Sequence, residues 1–187
     1  LSPELFGELR THVDALAKQA DAVGVVILKG AGRGFSAGND LKAIAEGRTA
    51  PSRHFQAETI DALEALPQPV IGAIHGPCFT GALELALGCD LLVAAESARF
   101  CDTHGRFSLS PTWGMSQRLP RRVGQQRARE LMFTARELSG AEAAALGLAL
   151  ECVPDDQLEA RVDALADAML ANAWFTLRAD KFLLNGG

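Results

Sequence analysis

Glu84 is the residue best placed to do chemistry. It stands three residues after Gly81, on the same face of an expected short helix running from Gly81 to Leu87. The first amides of a helix have no internal acceptors and its dipole makes that end positive, so an oxyanion held at the Gly81 N–H would be stabilised. A glycine there lets a ligand approach the backbone closely. Leu83, Leu85 and Leu87 surround Glu84 in the sequence. Such neighbours predict a partly desolvated carboxyl, with a pKa raised towards acid–base usefulness. The competing reading is that Glu84 only satisfies the helix N-terminus.

Other patterns compete with it. Gly34-Phe35-Ser36-Ala37-Gly38 matches G-x-S-x-G, the nucleophile elbow of serine hydrolases, although several loop residues separate Ser36 from the preceding apolar run. Gly30-Ala31-Gly32-Arg33-Gly34-Phe35 places Phe35 where a dinucleotide fingerprint needs glycine, and no GKS or GKT triplet marks a P-loop. His12, His54, His75 and His104 are scattered, without HExxH or clustered carboxylates, so no metal site is expected. Trp113 reads as core packing first and as an acyl-pocket wall second.

The elements that must position these residues follow from periodicity. Ser2 caps, and Pro3 opens, an amphipathic helix over 3–20 carrying Leu5, Leu9, Val13 and Leu16. Val25 to Leu28 reads as a strand buried on both faces. A Gly-rich loop, a short helix from Asp40 to Glu46 and a second helix over 54–66 follow. Further strands are expected at 70–75, 91–95, 98–101 and 150–153. Gly76-Pro77 turns the chain, and Ser110-Pro111 opens another helical stretch. Gly124 to Phe133 is helical, Ser139 and Glu142 make a capping box, and two helices close the chain over 155–171 and 173–184. Strands alternating with helices predict an α/β fold with a largely parallel sheet.

The chain has 187 residues and a net charge of −5, which argues against nucleic acid or an anionic membrane as partner. Arg118, Arg121, Arg122, Arg127 and Arg129 crowd one region and read as a solvated helical face. Cys78, Cys89, Cys101 and Cys152 show no metal or disulfide spacing, so reduced thiols and a cytoplasmic location are expected. No apolar run is long enough to span a bilayer.

Beyond these readings, Gly34-Phe35-Ser36-Ala37-Gly38-Asn39-Asp40-Leu41 resembles the first oxyanion-hole loop of the crotonase superfamily, that of enoyl-CoA hydratases and isomerases. Pro69 to Asp90 resembles its second loop and following helix. Ser97 to Phe100, Gln117 to Gly124 and Ala143 to Leu148 agree in order, so the resemblance covers essentially the whole chain.

The resemblance implies a crotonase-like spiral of ββα turns with C-terminal helices, in one domain over 1–187. Its core would run to about 153 and its helical part from about 154. It implies an acyl-CoA substrate with no separate cofactor, and a homotrimer or hexamer. The amides of Asn39 and Gly81 would hold the thioester oxygen. Ala37, Asp40 and Leu41 would lie along the CoA moiety, and Glu84 matches one of two hydratase carboxylates. The second falls at His104, a residue that exchanges protons near neutral pH. Asp102 is a substitute for that role, and a plain loop histidine is the alternative. Members of the family usually have a strand hairpin before the first helix here and more helices after Leu184, so the chain is expected to be an incomplete domain.

The activity so implied is hydration of a 2-enoyl-CoA. Isomerisation, thioester hydrolysis and decarboxylation use the same oxyanion hole. A Ser36 hydrolase and a non-catalytic acyl-CoA binder are the readings from other classes.

Overall fold

The computed structural model describes residues 1–186, the side chains at positions 41 and 44 excepted. Helix α1 (Pro3–Ala17) starts as its sequence dictates: the Ser2 hydroxyl accepts from the Leu5 amide at 3.2 Å and Pro3 takes the first helical position. It ends three residues before the expected boundary. Strand β1 (Val26–Lys29) then leads into the Gly-rich loop, followed by α2 (Leu41–Ala45) and α3 (Phe55–Glu64). Strand β2 (Val70–Ile74) is buried along its whole length. Strand β3 (Pro77–Phe79), helix α4 (Gly81–Leu87), strand β4 (Leu91–Ala95) and strand β5 (Arg99–Cys101) complete the part that builds the site.

Helices α5 (Met115–Val123) and α6 (Gln125–Thr134) come next, then β6 (Leu138–Ser139), α7 (Gly140–Ala145) and β7 (Glu151–Val153). The capping box of α7 forms: Glu142 N–H donates to Ser139 Oγ at 3.2 Å, and Ser139 N–H donates to Glu142 Oε2 at 2.9 Å. Helices α8 (Leu158–Leu170) and α9 (Trp174–Leu184) end the chain's regular structure.

Two sheets result. The first is all parallel, in the order β1-β2-β4-β7, with Val26 opposite Val70, Ile71 opposite Leu91 and Val93 opposite Glu151. The second, β3-β5-β6, joins a parallel pair to an antiparallel one. Phe6, Ile60, Leu63, Phe100 and Met115 belong to the apolar cluster on one side of the first sheet. Ile71, Val93, Val162 and Ala166 form a second cluster between that sheet and α8. This α/β arrangement of a parallel sheet with covering helices is the expected class.

Four local expectations are corrected. Strand β1 is not buried on both faces: it alternates, with Ile27 39% exposed, because no helix covers its outer side chains fully. Gly76-Pro77 is not only a turn; Pro77 begins β3, a strand too short to show a period. Residues 110–114 are not helical, and α5 starts at Met115. Arg118 does not lie on a solvated face. It is buried, with Nη2 2.6 Å from both Asp61 Oδ1 and Glu64 Oε2, and Nη1 donating to Trp113 O at 2.9 Å.

Candidate active site

The Gly-rich loop is stitched to β3 residue by residue. Ser36 forms a parallel bridge with Cys78, Ser36 N–H donates to Pro77 O at 2.9 Å, and Phe79 N–H returns to Ser36 O at 3.2 Å. Gly38 has φ +104°, and a Cβ there would stand 2.9 Å from Phe79 O. Only glycine lets the two backbones run this close. The stitching carries Asn39 to Gly81, at the start of α4. Both line one cavity of about 620 Å³, together with Ala37, Glu84, His104 and Trp113. Among the described residues, neither the Asn39 nor the Gly81 amide donates to a protein acceptor.

Glu84 is 1% exposed. Its Oε1 accepts from Trp113 N–H at 2.8 Å and Met115 N–H at 3.1 Å. The carboxyl therefore satisfies the N-terminus of α5 rather than that of its own helix, as a negative group does best at such an end. Both bonds use Oε1. Oε2 turns to His104, with Nε2 at 3.7 Å. Burial is the main influence on Glu84 and raises its pKa above the ordinary carboxyl value. The Met115 and Trp113 amides and the His104 ring oppose that rise.

His104 sits in a single 3-10 turn, His104–Phe107, and is buried. Its Nδ1 lies 2.6 Å from Asp102 Oδ1, which also accepts from the His104 amide at 3.1 Å. Asp102 is buried too. Asp102 and His104, the alternatives for the second acid–base group, thus form one hydrogen-bonded pair, and it is the histidine that faces the cavity.

The remaining sequence candidates are distributed as follows. Ala37 lines the cavity mouth. Asp40 caps α2, its Oδ1 accepting from the Lys42 and Ala43 amides at 3.0 Å each, which also holds its carboxyl below the ordinary range. The side chain of Leu41 lies outside the described residues. Ser36 is no nucleophile elbow: no helix leaves it, its hydroxyl accepts from Gly38 N–H at 3.2 Å, and the cavity is lined without it. A somewhat larger groove, about 710 Å³, passes Arg118, Arg122 and Lys181, but their charged ends are already bonded to Glu64, the Cys89 carbonyl and Asp90.

Two further residues shape the site. Thr80, just before Gly81, has φ 56° and ψ −113°, which a β-branched residue adopts only under strain. Its amide donates to Cys101 O at 2.8 Å and its hydroxyl bonds that of Thr103, so it ties the Asp102–His104 segment to the start of α4. Nothing in the sequence around Thr80 marks this. Trp113 is both packing and wall: its ring meets Phe6 edge-to-face at 5.1 Å and also lines the cavity. Glu84 acceptance from its amide was invisible because the two lie 29 residues apart.

Comparison with known proteins identifies the family. A family model described as enoyl-CoA hydratase/isomerase matches residues 1–185. A short-chain-enoyl-CoA hydratase of Clostridium acetobutylicum is 32% identical over 187 residues, covering 98% of this chain and 69% of that protein. A protein of Arabidopsis thaliana named as a probable peroxisomal enoyl-CoA hydratase is 36% identical over 167 residues; the match takes in 89% of this chain but spans only 63% of the relative. The crystal structure of an enoyl-CoA hydratase from Bacillus anthracis superposes with a TM-score of 0.93 at 38% identity, over 100% of this chain and 73% of that one. A monofunctional enoyl-CoA isomerase from M. smegmatis gives 0.82 at 35% identity, over 96% and 78%. With its two-sheet fold, its stitched pair of loops and this match along nearly its whole length, the chain belongs to the enoyl-CoA hydratase/isomerase family, the crotonases.

Proposed function

We propose that this chain carries the hydration site of a 2-enoyl-CoA thioester. As the reaction proceeds, negative charge develops on the thioester oxygen. The amides of Asn39 and Gly81, both without a protein acceptor among the described residues, supply two donors for it. Glu84 takes a proton from water, whose oxygen joins Cβ. The electrons of the double bond move to Cα, which receives a proton from His104. The observation that carries the reading is the free Oε2 of a buried Glu84 directed at His104 in the same cavity as both amides. CoA lies along Ala37 and Asp40 as part of the substrate.

Incubation with enoyl-CoA thioesters and product analysis by mass tests this. A gain of one water is expected, and Glu84→Gln should lower the rate by roughly 100- to 10,000-fold. Unchanged hydration of crotonyl-CoA by that variant would end the assignment. Double-bond isomerisation is the second reading, favoured because one carboxylate alone, Glu84, faces the cavity among the described residues; a product of unchanged mass with a shifted double bond would identify it.

A trimeric assembly is supported by the apolar side chains that α9 leaves exposed, Phe175, Phe182, Leu183 and Leu184. A reducing compartment such as the cytoplasm fits four free cysteines. Among the described residues no helix is long and apolar enough to cross a membrane.

A further inference from the structure

Asp102 is not among the residues lining the cavity, yet it is buried beside the one imidazole there. A carboxylate oxygen only accepts hydrogen bonds, and Asp102 Oδ1 is 2.6 Å from His104 Nδ1. That contact therefore puts a proton on Nδ1. It leaves Nε2 as the exchangeable nitrogen, and Nε2 is the one directed at Glu84 Oε2, 3.7 Å away. Two bare lone pairs facing each other at this distance in a buried site would repel. One further proton, on either atom, turns the repulsion into attraction.

We propose that Asp102 is a positioning residue that fixes the His104 tautomer, so that Glu84 and His104 share a single exchangeable proton that resets the site after each turnover. This rests on the hydration reading given above. Before reaction the proton is on His104 Nε2 and Glu84 is a carboxylate. Glu84 Oε2 takes a proton from water as the water oxygen bonds to Cβ. The π electrons pass to Cα and form its new C–H bond with the Nε2 proton. The enzyme is left with a protonated Glu84 and a neutral His104 that keeps its Nδ1 proton on Asp102. Transfer of the Glu84 proton across to Nε2 restores the starting state. At 3.7 Å the two atoms are just outside bonding reach, so a small side-chain adjustment completes the transfer without bulk water.

The test combines rates with the state of the ring. Asp102→Ala should lower kcat at least tenfold with KM changed less than twofold. Asp102→Asn, whose carbonyl can still accept from Nδ1, should retain more activity than Asp102→Ala and serves if the alanine variant fails to fold. Asp102→Ala combined with His104→Ala should be no slower than His104→Ala alone, since Asp102 acts only through the ring. Nitrogen-15 NMR of the His104 ring should show the proton on Nδ1 in the wild type and a redistributed tautomer in Asp102→Ala. A normal kcat for Asp102→Ala, or a ring with its neutral-form proton on Nε2 in the wild type, would overturn the inference while leaving Glu84 and hydration standing. Full activity of both His104→Ala and Glu84→Gln would instead remove the reading beneath it.

Discussion

Trp113 and Gly81 share one volume: a Cβ on Gly81 would run into the indole ring, with Cε3 at 3.0 Å. The glycine backbone and the cavity wall are therefore fitted to each other. Gly81→Ala keeps the N–H but forces the ring aside, and through the Trp113 amide it disturbs Glu84 as well. The expected loss is of the size seen when one oxyanion donor is removed, roughly 100- to 1,000-fold in kcat. Trp113→Ala in the same chain should restore part of it. Steady-state kinetics of the two variants and their combination checks this, and a double variant no faster than Gly81→Ala would show that the clash is not the cause.

Glu84 makes stability depend on pH in a defined direction. Burial is the first cause of its raised pKa, and a raised folded-state value means that the fold favours the uncharged acid. That favour is fully present below the ordinary value of 4.5 and is lost as pH rises through the higher folded value. Glu84→Gln keeps an acceptor for the Trp113 and Met115 amides and has no charge to desolvate. Its melting temperature should thus exceed that of the wild type by a margin that grows as pH rises from 4.5. Thermal melts of both proteins across the acid to neutral range measure the margin.

Thr80 holds a strained backbone in place through its hydroxyl, so its alanine and glycine variants should part company. Thr80→Ala loses the bond to Thr103 and keeps the strain. Thr80→Gly loses the same bond but relaxes at φ 56°. The glycine variant is expected to be the more stable of the two by about 1–3 kcal/mol, read from urea unfolding.

Lys181 is a buried cation on α9, with Nζ 2.7 Å from Asp90 Oδ2 and 2.9 Å from Gln68 O. The same Asp90 oxygen accepts from Val70 N–H, at the start of β2. Lys181→Ala should cost about 2–3 kcal/mol, less than the ~3–5 kcal/mol of a fully enclosed pair because Asp90 is partly open to water. Lys181→Met, which keeps the stem packed, should unfold at a higher urea concentration than the alanine variant.

Burial pushes the Cys89 thiol up to about 12, and raises that of Cys78 well above its usual range. Neither offers a thiolate at neutral pH. Native protein should therefore leave both unlabelled by iodoacetamide over times that modify them fully in urea, as peptide mass analysis would show.

Much of this was legible in the residues. Runs such as Val70 to Ile74 and Leu91 to Ala95 are apolar, β-branched or small, and bounded by proline, glycine or a charge, so their strands stood out. The capping signals at Ser2 and Ser139 fixed two helix starts. Gly81 with Glu84 marked the site because both lie within one turn. What stayed hidden was what long-range pairing decides. Strand β3 is three residues long and begins with proline, and exists because it pairs in parallel with β5, with the loop at Ser36 bridged to it as well. The exposure of Ile27 depends on what covers β1. The alternatives Asp102 and His104 could not be separated while their 2.6 Å bond was unknown.

The Ser36–Cys78 bridge has one more consequence. It joins two stretches of backbone, some forty residues apart, and each stretch carries one of the amides in question. The site therefore cannot be half assembled: any opening that frees the first loop from β3 removes both donors from register together. The proposed turnover should consequently vanish on heating no later than the parallel sheet is lost, and earlier if the loop opens first.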